Sequence, residues 1–257
     1  MSASRLTCWF GGAVFGLLCT PAFAAITVGA GSSMQFADST VDLGCSDLTI
    51  AGTASGTAAV ISSITNLNLS GSFAPGASQI SLGDNFADAG SFTPGTGRVA
   101  IVDACGNGTS QVSGATSFYD LAVISALGKQ LVLPVGIAQT IAHALTLQGT
   151  TGNLLQVSSS ATGQRALLAL GAGTTQSIAY VNARDNNASG AAIAPGQPAQ
   201  YHSVDGGNLL NWFANAINGG GGVAVPAPTL GFGRWLLLAG LLLTTWRTLT
   251  ASKSKRL

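Results

Sequence analysis

Glutamate is absent from this chain of 257 residues, and all nine acids are aspartate. Charge of either sign is scarce, at 7% of residues. Clustered Lys and Arg, the footprint of nucleic-acid binding, are missing from the central region, so no nucleic-acid partner is expected. Two histidines, His143 and His202, and no Cys-x-x-Cys or His-x-x-x-His spacing leave no metal-ligand pattern. A phosphate-cradling glycine loop is absent too, and no cofactor is expected. The central region contains no amphipathic helical pattern of useful length. Without Glu, the paired carboxylates of glycoside hydrolysis would have to be aspartates, and no pair stands out. A nucleophile triad from His202, Asp205 and a serine has no sequence context. His143 reads as a surface or packing residue. Asp84 to Asp88 and Asp185-Asn186-Asn187 lack the spacing of a calcium loop and read as solvated turns. The expectation is a protein that is not an enzyme.

Long hydrophobic runs are confined to the ends. Residues 1–24 carry Arg5 near the start, an apolar stretch at 8–19, and small residues at Ala22 and Ala24. That is the pattern of a secretory signal peptide cut after Ala24. Leu18 before Cys19 argues against lipidation, which wants a small residue there. At the other end, residues 219–225 form a Gly-rich linker, and 226–257 hold a short motif, an apolar segment and a basic tail. The 17 residues 230–246 would measure about 25 Å as a helix. Arg234 and Arg247 extend the segment by snorkelling, and Trp235 and Trp246 stand where interfacial aromatics belong. Arg247, Lys253, Lys255 and Arg256 outnumber Arg234, which places the tail in the cytoplasm and the region 25–218 outside.

With the ends set apart, that region keeps four basic residues (Arg98, Lys129, Arg165, Arg184) against nine aspartates, a formal charge of −5. It keeps two cysteines, Cys45 and Cys105. In an oxidising compartment they are expected to form one disulfide, two free buried thiols being the alternative. Short β-branched and aliphatic runs, several of them alternating with period two, predict strands at 25–28, 40–43, 48–50, 64–69, 79–82, 98–102, 118–124, 130–133, 144–147, 154–157, 166–170 and 178–181. Turn signals such as Pro75-Gly76, Pro94-Gly95 and Pro195-Gly196 separate them. The class is all-β. A parallel β-solenoid is favoured, because the strands are very short and the low charge lets side chains stack in like-on-like ladders. A β-sandwich is the alternative. No exact repeat period is read.

Several stretches carry a resemblance. They are residues 40–53, 90–99, 118–121 and 145–150, with Asp205-Gly206-Gly207-Asn208 and Asn211-Trp212-Phe213. Together they resemble the bacterial β-strand-repeat surface proteins with filamentous-haemagglutinin-like solenoids, which implies an exported, non-enzymatic body. Pro228-Thr229-Leu230, followed by Trp235, the apolar run and the basic end, resembles the IPTL-type C-terminal sorting domains of Gram-negative bacteria. Ala227 stands where that family has Ile, and Gly231-Phe232-Gly233-Arg234 replaces its common Ser-Glu-Trp-Gly. The resemblance implies processing by an exosortase-like enzyme, with signal peptidase acting at the other end and the inner membrane as a station on the way to the cell surface.

The leading expectation is therefore an exported structural protein of the cell surface or extracellular matrix. The runner-up is an adhesin or glycan-binding module in contact with surface polysaccharide, with Tyr119, Tyr201 or Trp212 as exposed contacts. A carbohydrate-active enzyme is the distant third.

Overall fold

The computed structural model describes residues 25–214. The expected signal peptide, the linker, the sorting motif Pro228-Thr229-Leu230 and the flanks Arg234, Trp235, Trp246 and Arg247 lie outside them. No helix among the described residues is long and apolar enough to cross a membrane.

Every strand pairing between elements is parallel, and the chain winds into a β-solenoid of about eight turns. A sandwich would need antiparallel partners, so that alternative falls. Each full coil lays down three short strands, and coils stack through three ladders. On the first face, Thr40–Ile50 pairs with Val60–Leu69, then come Gln79–Leu82, Arg98–Ile101, Ser117–Ile124, Ala138–Gln148 and Thr175–Ala179. The second face starts at Ile26–Val28 and later carries Thr109–Ser113, Gln130–Leu133, Leu155–Ser159, Val181–Ala183 and Val204–Asp205. The third holds Ser33–Gln35, Thr53–Ser55, Ser72–Ala74 and Ser91–Phe92, and is taken up later by Ala166–Leu170 and Asn186–Gly190.

The alternating pattern sends every second side chain inward, and the register puts like on like. Ile61, Ile80, Val99, Leu121 and Leu145 stand in one column; Ile64, Leu82, Ile101, Val123 and Leu147 stand in the next. All ten are buried. An aromatic column runs inside the early coils, where Phe36, Phe73, Phe92, Phe86 and Phe118 meet at ring-centroid distances of 5.2–6.1 Å. The core is a stack in which each coil covers the apolar side chains of its neighbours.

The early coils do have a period. Asp47, Asn66 and Asn85 are spaced by 19 residues and form a hydrogen-bonded ladder, each asparagine donating from both its backbone N and its Nδ2 to the residue one coil before. Gly52, Gly71 and Gly90 repeat at the same interval. They have a packing reason, since a Cβ on Gly71 would lie 2.0 Å from the Gly52 carbonyl oxygen and one on Gly90 2.1 Å from that of Gly71. Later coils lengthen. The register offset becomes 22 from Arg98 to Asp120, 24 from Asp120 to Ala144 and 31 from Ala144 to Thr175.

Some strands differ from the sequence expectation. The runs at 40–43 and 48–50 belong to one strand, Thr40–Ile50, bent at Gly44 and Cys45, both with positive φ. The run 178–181 is cut by Tyr180 (φ 55°) into Thr175–Ala179 and Val181–Ala183, because the chain turns a corner there. Three-residue strands such as Thr53–Ser55 and Phe86–Asp88 are too short to show periodicity.

Cys45 and Cys105 are bonded, with Cα atoms 4.9 Å apart and a sequence separation of 60. Two coils, those of Ser62 and Ser81, lie between the coils that carry the two cysteines.

Candidate binding groove

The outward side of the second face changes character along the stack. In register across successive coils stand Gln130, Gln156 and Asn182, one above the other. Parallel strands set these positions about 4.8 Å apart. Beside them lie Ser158, Arg184 and Gly206. Together with Val157 they line an open groove of about 340 Å³. This is within the size range of small-molecule sites, though more polar than most.

The groove amides are tied to one another. Asn182 Nδ2 donates to Gln156 Oε1 (2.7 Å), Gln156 Nε2 to the Leu154 carbonyl (2.9 Å), and Gln130 Nε2 to Ser158 Oγ (3.0 Å). Asn182 Oδ1 is buried without a donor. Arg184 is half exposed, and only its Nε is engaged, 3.4 Å from Asp185 Oδ2. Asp185 is buried beneath it. Its carboxyl is held below the usual range, first by the Asn208 amide, whose Nδ2 donates at 2.6 Å, and next by the Gly163 backbone N–H; burial opposes them, and Arg184 and Arg165 assist. The groove can thus offer a guanidinium, several amides and a hydroxyl, with no carboxylate among its lining residues.

A second polar cluster fills a corner. Lys129 is 1% exposed. Its Nζ donates to the carbonyls of Gly83 and Asn107 and to Ser110 Oγ, so one ammonium joins three coils. Burial lowers its pKa, and the Asp84 and Asp103 carboxylates oppose that shift. Asp84, itself buried, accepts from the backbone N and Nδ2 of Asn107. Every donor and acceptor here faces another part of the same chain. The cluster is a clamp.

The sequence-expected residues are scattered. Tyr119 stacks on His143 at 4.6 Å, and His143 Nδ1 lies 2.7 Å from Asp120 Oδ1 on the surface. His202 stacks on Tyr180 at 4.9 Å, and Asp205 accepts from the Gly207 N–H, so no triad forms between them. Tyr201 is half-buried with its hydroxyl donated to the Pro195 carbonyl. Trp212 is 4% exposed, packed against Phe213, and is no exposed contact as expected. The parallel turn after residue 190 folds it onto the core, through a bridge to Ile193. The two aspartate segments are not solvated turns either. Asp84, Asp88, Asp185 and Asn186 are all buried and bonded within the fold: Asp84 accepts from the Asn107 N–H, Asp88 from the Thr116 hydroxyl and Asp185 from the Asn208 amide, while Asn186 Nδ2 donates to the Arg184 carbonyl. No group of three or more His, Cys, Asp or Glu able to hold a metal occurs among the described residues.

Sequence reasoning missed the groove. Its residues are 26 positions apart, and the only available signal was recurrence of Gln and Asn at the outward position of successive strands. No protein family, no curated protein and no solved structure matches this chain.

Proposed function

We propose that this chain is an exported, non-enzymatic structural protein of the cell surface or extracellular matrix. The observation that carries the reading is the unbroken apolar stack under three parallel ladders. A body built this way gains rigidity from each added coil and needs no active-site cavity. Residues 1–24 supply the export signal. Pro228-Thr229-Leu230, the apolar segment flanked by Arg234, Trp235, Trp246 and Arg247, and the basic tail supply the sorting device, handled by an exosortase-like enzyme at the inner membrane. Cell fractionation with mass mapping of both termini of the mature protein tests this. The expected species starts at Ala25, lies outside the inner membrane and lacks Lys253 to Leu257. A mature species that keeps those residues overturns processing and leaves a simple anchor, while a body retained in the cytoplasm overturns export.

A second reading, a glycan-binding surface module, is favoured by one feature, the amide-lined groove. Amide and hydroxyl groups in a shallow row suit sugar hydroxyls, which both donate and accept. Binding to a glycan array, weakened by Gln156→Ala, is the expected result. A flat array with the folded protein refutes it.

A further inference from the structure

We propose that the groove between Gln130 and Gly206 takes a saccharide chain bearing carboxylates, with Arg184 as the residue that contacts the acid group. This rests on the glycan-binding reading of the same groove.

The argument starts from charge. The region between the expected terminal signals carries four cations against nine aspartates. Lys129 is consumed inside the fold, held by Gly83, Asn107 and Ser110. Arg165 donates from its Nε to the Asn208 carbonyl. Arg184 alone of the four lines the groove: its side chain is 53% exposed, and only its Nε has a partner. That partner, Asp185, is buried and fixed by Asn208, so it anchors the near edge of the guanidinium. The two terminal nitrogens remain free of any partner among the described residues. They form the edge that binds a carboxylate through two parallel hydrogen bonds.

The rest of the lining selects the kind of carboxylate. Val157 is buried in the core, which leaves Gln130, Gln156, Ser158, Asn182 and Arg184 as the side chains of the lining, and no aromatic ring is among them. A peptide or lipid acid would bring apolar surface with nothing to cover it. A polyhydroxylated chain meets amides instead. The stacking of Gln130, Gln156 and Asn182 on three coils makes the row linear, so several sugar units are engaged. The nearest other acid along the last strand, Asp205, pairs in register with buried Ala183 and accepts from the Gly207 N–H. It is not among the lining residues, so no acid in the lining repels the ligand.

The test is calorimetric titration of the purified full chain with a hexamer of galacturonic acid and with its neutral methyl ester. The acid is expected to bind at least ten-fold tighter than the ester, with an affinity that falls as salt is raised. Arg184→Gln should abolish the preference, and Arg184→Lys should keep part of it, both with an unchanged far-UV spectrum. If acid and ester bind alike and Gln156→Ala weakens both, the glycan reading stands and the role given to Arg184 falls. If neither binds, both fall. Should Arg184→Gln fail to fold, the acid-to-ester ratio and its salt dependence in the unaltered protein still decide the question.

Discussion

Breaking the Cys45–Cys105 bond should loosen one end of the solenoid and leave the other intact. The bond closes a loop of 60 residues. Chain-entropy arguments give about 4 kcal/mol for a loop of that length. The location of the loss follows from the stacking. Three coil steps at about 4.8 Å would separate the coils of Cys45 and Cys105 by roughly 14 Å. Their Cα atoms are 4.9 Å apart, so the turns bearing them lean toward each other. They pass Gly83, where a Cβ would fall 2.5 Å from the Cys105 carbonyl carbon. The bond therefore staples the coil of Cys45 to the coil of Cys105 over two others. In a stack where each coil contacts only its neighbours, the terminal coil opens first. Hydrogen exchange of oxidised protein and of the Cys45→Ser/Cys105→Ser variant measures this. Amides of Ile26–Val28, Ser33–Gln35 and Thr40–Ile50 should exchange faster in the variant, by up to the factor that about 4 kcal/mol allows, close to a thousand-fold. Amides of Ala166–Leu170 and Asn186–Gly190 should hardly change. Equal acceleration along the whole stack, or none at the N-terminal coils, would refute the staple argument.

Three further outcomes follow from particular contacts. Lys129→Met fills the same space but leaves the Gly83 and Asn107 carbonyls without a donor; a loss of about 3–5 kcal/mol in urea unfolding is expected, and a loss under 1 kcal/mol would remove the clamp. Gly71→Ala drives a Cβ into the Gly52 carbonyl and should cost about 1–3 kcal/mol, whereas Gly108→Ala, which meets nothing within 4 Å, should cost almost nothing; equal effects in thermal melts would contradict the packing account. Asp185 has a folded pKa below its ordinary value, so its ionised form stabilises the fold above that value, and the stabilisation is lost as the pH drops beneath it. Asp185→Asn should therefore be less stable than the unaltered protein near neutral pH, with the gap closing in acid; a gap constant with pH would refute the assignment.

Much of the fold was readable residue by residue. The runs 79–82, 130–133 and 166–170 coincide with strands because each is short, rich in aliphatic residues and bounded by Gly or Pro. The 19-residue spacing was also present, in Gly52, Gly71 and Gly90 and in Asn66 and Asn85, but the longer coils after Arg98 blur it. Trp212 misled because a large aromatic in a Gly- and Asn-rich stretch reads as exposed, and only the return of the chain onto Ile193 buries it.

What the sequence determined by itself is local: strand alternation, turn positions, the absence of catalytic and metal patterns, and the expected destination signals at both ends. These depend on neighbours within a few positions. The cysteine count pointed to a bond between Cys45 and Cys105, while how their coils meet, the Lys129 clamp and the groove were decided by tertiary structure alone. Each joins residues 19 to 60 positions apart, and their meeting depends on the number of residues in every intervening coil. One residue more inside a strand, as opposed to a turn, would send the side chains after it to the opposite face, and Gln130, Gln156 and Asn182 would no longer stand in line.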